Sequence, residues 1–457
     1  MKIIVLGAGQ VGRTVAISLT EEDNDVTVVD TDRQILQELA DTTDLRTVEG
    51  PASFPEVLRR AGAEDADMII AATDSDETNI VAIQIAYTLF RTPSKIARIR
   101  SQDYMRETNL FTNEHIPIDV IISPEQLITE HIERIIEHPG AIQVVDFAQG
   151  RVRLVGVEVT ADAPMVDQPL SRLPDFLGDI ETRVTAIYRG EERVVPDGSS
   201  VVREGDVVFF LGKRKHTGKV MAQFHDVDEP CRHVMIAGGG NIGLLLARKL
   251  ERFYRVKVIE ADETRAEFIA GELASAMVLH GDAANKEMLV EESISEMDVF
   301  CALTNDDEAN ILSAMLAKRM GARKVMSLIN RPAYVDLVER DVIDVAVSPQ
   351  QITIGALLTL IRRGDVVAVH SLRRGSAEAL EGVAHGDAET SSLVGRPIGE
   401  LKLPRSANIG VVVRGEKVLV AHHDLVIEPD DHLIVLVTDK RQIHEVEKLF
   451  QVGVTFV

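Results

Sequence analysis

One pattern occurs twice in this chain, and the repetition limits what it can fold into. Ile3-Ile4-Val5-Leu6-Gly7-Ala8-Gly9-Gln10-Val11-Gly12 returns as Val234-Met235-Ile236-Ala237-Gly238-Gly239-Gly240-Asn241-Ile242-Gly243. Gly238 stands 231 positions after Gly7, and the same offset relates Thr73-Asp74-Ser75-Asp76-Glu77-Thr78-Asn79 to Thr304-Asn305-Asp306-Asp307-Glu308-Ala309-Asn310. At 457 residues the chain exceeds one typical domain. A fixed-period repeat of this kind points to a tandem duplication.

In the first copy, apolar runs at 3–6, 25–30, 45–48, 68–72, 96–100 and 120–122 alternate with helix-patterned segments after the glycine turn and at 33–40, 54–61 and 77–90. Continuous apolar runs with helices between them predict a doubly wound parallel sheet covered on both faces. The second copy repeats the order over 233–347. Ser123-Pro124-Glu125-Gln126 and Ser348-Pro349-Gln350-Gln351 then open further helices, with Pro suited to the first turn. Leu127, Ile128, Ile132, Ile135 and Ile136 form one stripe, whereas Ile352 to Ile361 is apolar nearly all round. Both read as interface helices, with a plain core helix as the alternative.

A Val-, Gly- and Pro-rich texture with short alternating runs follows each copy. Val201-Val202-Arg203-Glu204-Gly205-Asp206 parallels Leu425-Val426-Ile427-Glu428-Pro429-Asp430-Asp431. The expected fold is therefore α/β: two Rossmann-like doubly wound parallel sheets, each followed by a small β-rich α+β domain. The boundaries are 1–123, a helix at 124–140, 141–227, 232–348, a helix at 349–365, and 366–457, with a linker at 224–230.

The net charge of −24 repels nucleic acid phosphates and anionic headgroups, so a nucleic acid partner is not expected. No apolar stretch approaches the roughly 18–20 residues of a membrane helix, and Met1-Lys2 runs straight into a strand with no leader. Cys231 and Cys301, the only cysteines, read as buried thiols in a reducing compartment.

Each glycine loop follows an apolar strand and opens a helix. The first glycine permits the turn, the second admits a pyrophosphate to main-chain N–H groups, and the third lets helix and strand approach. Candidate cofactor residues are Gly7, Ala8, Gly9, Gln10, Val11 and Gly12 in copy one, and Gly238, Gly239, Gly240, Asn241, Ile242 and Gly243 in copy two. Asp30 and Glu260 end the second strand of each copy, about 20 residues on, where a carboxylate accepts from ribose hydroxyls. That acid repels a 2′-phosphate and favours NAD or adenosine nucleotides over NADP. A vestigial fold that binds nothing is the competing reading. Thr73 and Asp74 lie at the carboxyl edge of the sheet and suit the cofactor's ribose or phosphate region, or a helix cap formed by Ser75 or Asp76. Arg98 and Arg100, alternating on a late strand, suit a phosphate or a structural ion pair. Leu328 and Asn330 replace them in copy two. His422-His423-Asp424 reads as a solvated turn, and no metal site or catalytic set emerges.

On these motifs the chain resembles the family of bacterial Trk potassium-uptake regulatory subunits, TrkA, built from tandem RCK (regulator of potassium conductance, or KTN) units. The resemblance spans the whole chain. It implies a non-enzymatic protein that binds NAD or NADH, and in some members ATP or ADP. It further implies a homo-oligomer, a tetramer, held at the cytoplasmic face of the inner membrane by a potassium-translocating subunit of the TrkH/TrkG kind. On the family's pattern Gly7 to Val11, Asp30, Thr73, Asp74 and Arg98 contact nucleotide in copy one, and Gly238 to Ile242 and Glu260 in copy two. Gly50-Pro51 replaces the family's Gly-Asp, which copy two keeps as Gly281-Asp282, and Asn305 stands for Asp74. An NAD-dependent oxidoreductase and a regulator of potassium efflux are the alternatives. Small domains of about 85–90 residues without an evident acid–base set argue against the first, and the doubled chain argues against the second.

Overall fold

The structure is a computed structural model that describes residues 1–451 except 22–23, 108, 191, 227–229, 339–341, 362–365 and 373–376. Part of the expected linker and the end of the second Ser-Pro helix, with the side chains of 358–361, thus lie outside the described residues. The chain forms two compact units, 1–127 with 352–357, and 128–351 with 358–457.

The first unit runs β1 (Lys2–Leu6), α1 (Gln10–Glu21), β2 (Asp25–Asp30), α2 (Arg33–Thr42), β3 (Arg46–Glu49), α3 (Pro55–Arg60), β4 (Met68–Ala71), α4 (Asp76–Ile85), β5 (Ser94–Arg98), α5 (Gln102–Arg106) and β6 (Val120–Ile122). The strands lie in the order β3-β2-β1-β4-β5-β6, all parallel. The order reverses between β1 and β4, the crevice where ligands of such sheets bind. Ile3 to Leu6 and Met68 to Ala71 are buried throughout, because helices cover both sheet faces. The expected helix over 77–90 is α-helical only to Ile85. A π turn, Ala86–Phe90, follows, and Arg91 leaves it at φ 55°.

The chain continues through α6 (Pro124–Glu137). The second unit then contains β7 (Ala141–Phe147), β8 (Val152–Glu158), α7 (Leu173–Leu177), β9 (Thr182–Arg189), β10 (Glu192–Val194), β11 (Val207–Lys213) and α8 (Thr217–Met221). Next come β12 (His233–Ala237), α9 (Asn241–Leu250), β13 (Arg255–Glu260), α10 (Glu263–Glu272), β14 (Met277–His280), α11 (Lys286–Glu291), β15 (Val299–Ala302), α12 (Asp307–Arg319), β16 (Lys324–Leu328), α13 (Pro332–Leu337) and β17 (Val345–Val347). These repeat the parallel order as β14-β13-β12-β15-β16-β17. After α14 (Pro349–Ile361) come β18 (Val366–Leu372), β19 (Ala377–Ala384), β20 (Ala407–Arg414), β21 (Lys417–Val420), β22 (Asp431–Val437) and α15 (Ile443–Phe450).

The small domains are antiparallel sheets, β10-β9-β11-β8-β7 and β18-β19-β22-β20-β21. They share one apolar core, in which Leu154, Phe209 and Leu211 meet Ala379, Val411 and Ile434. Ala148 N donates to Glu381 at 2.8 Å and Gln143 Nε2 to the Ser371 carbonyl at 2.8 Å, tying the sheets together. The repeated acidic turns have a shared purpose. Asp206 and Asp431 are fully buried, and each takes an arginine fork, Arg189 at 2.9 Å and Arg414 at 2.7–2.8 Å. Cys301 is buried as expected, whereas Cys231 precedes β12 and is only half-buried. Burial pushes the Cys231 thiol up to about 12, so it stays protonated. Among the described residues no helix is long and apolar enough to cross a membrane.

Candidate functional site

Both glycine loops are built alike. Gly7 leaves β1 at φ 97° and its N–H donates to the Val29 carbonyl at 2.8 Å. A side chain here would strain the backbone and touch Ala72 and Thr73 on the neighbouring strand end. A Cβ on Gly12 would collide with the Gly7 carbonyl oxygen, so helix and turn approach only because both positions are glycine. At Gly9 a Cβ would meet nothing within 4 Å. The middle glycine therefore faces open space at the start of α1, where the first helical N–H groups lack intrahelical acceptors. Gly238, Gly243 and Gly240 repeat these three environments at the start of α9.

The strand-end carboxylates are held by the loops. Asp30 accepts from Ala8 N at 2.5 Å and Asp32 N at 2.9 Å. Glu260 accepts from Gly239 N at 2.7 Å and Asp262 N at 3.0 Å. Each carboxylate is thereby oriented at the loop and keeps lone pairs for further donors. Gly239, where copy one has Ala8, is also a close approach, because a Cβ there would run into Ile269. Gln10 and Asn241 are exposed at the helix starts, with Val11 and Ile242 half-buried behind them.

The Thr-Asp-x-Asp-Glu-x-Asn run is largely architectural. Asn79 is fully buried, accepts from Thr73 N at 3.0 Å and Thr73 Oγ1 at 2.7 Å, and donates to the Arg98 carbonyl at 2.9 Å. It pins the end of β4 to the end of β5. Ser75 caps α4 by accepting from Thr78 N. Asp76, which also read as a cap, instead clamps the following loop through Arg100 N at 3.0 Å and Ser101 N at 2.8 Å. Asn310, Asp306 and Asp307 do the same three jobs in copy two. Sequence reasoning missed the roles of Asn79 and Asp76. Their recurrence as Asn310 and Asp307 was the available signal. Asp74 and Glu77 are the exposed members of the run.

The arginine reading needs correction. β5 ends at Arg98, so Arg100 lies beyond the strand and the two do not alternate on it. Arg98 Nη2 pairs with Glu125 Oε1 at 3.2 Å, both largely buried, and Arg100 lies 3.8 Å from Asp76. Copy two carries Leu328 and Gln350 at the places of Arg98 and Glu125, so charge is lost from both partners together. Removing one member of a buried pair strands the other. Arg98→Leu is expected to cost about 2–3 kcal/mol, discounted for partial exposure. Arg98→Leu with Glu125→Gln should recover most of that loss. Urea denaturation of the singles and the double variant checks this, and additive losses would contradict it.

His422, His423 and Asp424 are exposed, as expected of a solvated turn. Among the described residues no cluster of His, Cys, Asp and Glu could hold a metal ion.

Two family models match the chain: the TrkA-N domain over residues 3–124 and 234–349, and the TrkA-C domain over 154–225 and 387–451. The Trk system potassium uptake protein TrkA of Halomonas elongata is 54% identical over 456 residues, covering 100% of both chains. The protein of that name from Vibrio alginolyticus is 54% identical over 452 residues, 99% of each, and that from Haemophilus influenzae 48% over 458 residues, 100% of each. The solved GsuK RCK domain shares the fold, with a TM-score of 0.62 over 98% of this chain and 94% of that one at 16% identity. Matched end to end by these relatives and twice by each domain model, the chain belongs to the TrkA family.

Proposed function

We propose that this chain is the nucleotide-responsive regulatory subunit of a Trk-type potassium-uptake system, acting without chemistry on its ligand. The observation that carries the reading is the pair of loops. In each, an open middle glycine at a helix start stands beside a carboxylate that the loop itself orients. This arrangement suits a pyrophosphate at the main-chain N–H groups and ribose hydroxyls on Asp30 or Glu260, hence NAD, NADH or an adenine nucleotide. Gly7 to Gly12 and Gly238 to Gly243 would cradle phosphate, with Asp74 exposed beside the first loop. Thr73 and Arg98, already engaged by Asn79 and Glu125, would position the edge more than grip the ligand. Relatives of similar fold are described as a GsuK channel bound to NAD and a GsuK bound to ADP.

An oxidoreductase is the weaker reading, because Thr73, Asp76 and Asn79 at the carboxyl edge spend their polar atoms on the protein's own backbone. Regulation of potassium uptake follows from the named function of the relatives. The partner would be a membrane potassium-translocating subunit of the TrkH/TrkG kind, engaged at the inner membrane's cytoplasmic face by a homo-oligomer, a tetramer. A ligand biases such an assembly only through different affinity for two arrangements, so docking must in turn change nucleotide affinity. Potassium flux into vesicles carrying the partner, with and without this protein, tests the reading across NADH, NAD, ATP and ADP. Flux should depend on the nucleotide while nicotinamide absorbance stays constant with small carbonyl compounds. Identical flux in every case with the proteins still bound would overturn it.

A further inference from the structure

A cavity of about 770 Å³ lies where α6, the β7–β8 turn, α9 and the second small domain meet. Its size suits a small molecule. Three arginines from distant parts of the chain line it: Arg134 on α6, Arg153 on β8 and Arg214 just after β11. All three act on one carboxylate, Asp146 on β7. Arg153 takes that carboxylate in a fork at 2.7 and 3.0 Å, which leaves Arg134 and Arg214 in excess. Among the described residues Arg134 has only Glu130, at 3.5 Å and one turn back on the same helix. Arg214 stands with Nη1 beside Gly150 and makes no ion pair among the described residues.

The other acids of the cavity are largely engaged. Glu133 holds Lys249 at 3.0 Å, and Glu130 lies 3.9 Å from the same ammonium. Glu381 accepts from Ala148 N at 2.8 Å and pairs with His432 Nδ1 at 2.6 Å. Glu137 is exposed and acts on Tyr254, beyond the end of α9. The sequence around Arg214 is basic too. Val207 to His225 contains no acid but carries Lys213, Arg214, Lys215 and Lys219, in a chain of net charge −24. The β7–β8 turn holds Ala148, Gln149 and Gly150 at φ 48°, 56° and 81°. Two successive non-glycine residues in the left-handed region are strained, and such strain gathers at ligand clamps. Gln149 and Gly150 line the cavity.

The second half of the duplication does not repeat this set. Thr359, Glu378 and Asp439 stand at the places of Arg134, Arg153 and Arg214, and Ser371 at that of Asp146. Three cations there become two anions, so the small-domain fold does not itself require the arginines.

We infer that this cavity binds a small anion of two or more charges, bearing phosphate or carboxylate groups, through Arg134 and Arg214. The site is distinct from both glycine loops and does not depend on the function proposed above.

Calorimetric titration of the full chain with inorganic pyrophosphate, and separately with citrate, tests the inference. Gly9→Leu with Gly240→Leu closes the glycine loops to pyrophosphate. Citrate is also titrated into the wild type, a reading that stands if the double variant fails to fold. One anion per chain should bind, and the tighter of the two identifies phosphate or carboxylate as the source. Arg214→Gln and Arg134→Gln should each weaken binding on the order of 10- to 100-fold, as for loss of a charge-assisted bond. Arg441→Gln, at an exposed arginine of the second small domain, should leave it unchanged. Thermal unfolding of each variant controls for fold. Binding of neither anion, or affinity unchanged in both Arg214→Gln and Arg134→Gln, would overturn the site.

Discussion

Gly12→Ala should disrupt the first glycine loop, whereas Gly9→Leu should leave the fold intact and abolish NADH binding. The two glycines are three residues apart in one motif, yet their surroundings are opposite. A methyl group at Gly12 meets the Gly7 carbonyl oxygen, a main-chain atom fixed by the turn, so neither side can give way cheaply. The expected loss is about 3 kcal/mol or more, at the upper end of overpacking, and Gly243→Ala should behave the same way. A side chain at Gly9 projects into open space, so stability should change by less than about 0.5 kcal/mol. That space is where a pyrophosphate would sit, and a leucine there would exclude it. Hydrogen exchange of the α1 amides together with calorimetric titration of NADH separates the outcomes. Protected amides and unchanged NADH affinity in Gly9→Leu would remove the loop from the binding site. Asp30→Ala should instead weaken NAD binding while relaxing the rejection of NADP.

What was legible in the sequence follows from how far each signal acts. Continuous apolar strands and the glycine spacing act locally, and they located the parallel sheets and the repeat. Strand ends were less legible: β5 stops at Arg98, whose carbonyl accepts from Asn79, distant in sequence. The Thr-to-Asn run was recognisable as a motif, but its division into turn, cap, clamp and cross-link depends on contacts to a loop about 24 residues away. The shared core of the small domains was not foreseen, since Gly410 and Leu211 come together only when two distant sheets meet.

Acid should destabilise the second unit between pH 6.5 and about 4, before most of its carboxylates titrate. His131 on α6, His138 just after it and His370 on β18 are all pushed down to about 4, chiefly by burial. Arg134 beside His131 and His370, and Arg153 beside His138, add to the effect. The His370 ring sits edge-on to Phe147 at 5.1 Å. His138 Nε2 faces Arg153 Nη1, and the same guanidinium grips Asp146 at 2.7 and 3.0 Å. A proton on Nε2 would oppose one donor to another. These imidazoles are neutral in the folded chain, and above pH 6.5 they are neutral in the unfolded chain too, so the stability they contribute is then fully present. As pH falls below 6.5 the unfolded chain binds protons that the folded chain refuses, and that stability is lost until the folded groups titrate near 4. Each histidine accounts for at most about 3 kcal/mol over this window. Asp146, held below the usual carboxylate range by Arg153 against the opposing effect of burial, adds its own loss only below about pH 4. Urea denaturation at pH 7.5, 6.5, 5.5 and 4.5 should show the decline, and His138→Gln with His370→Gln should remove roughly two-thirds of it. A profile flat from pH 7.5 to 4.5, or an equal decline in the double variant, would mean that these imidazoles accept protons within the folded structure.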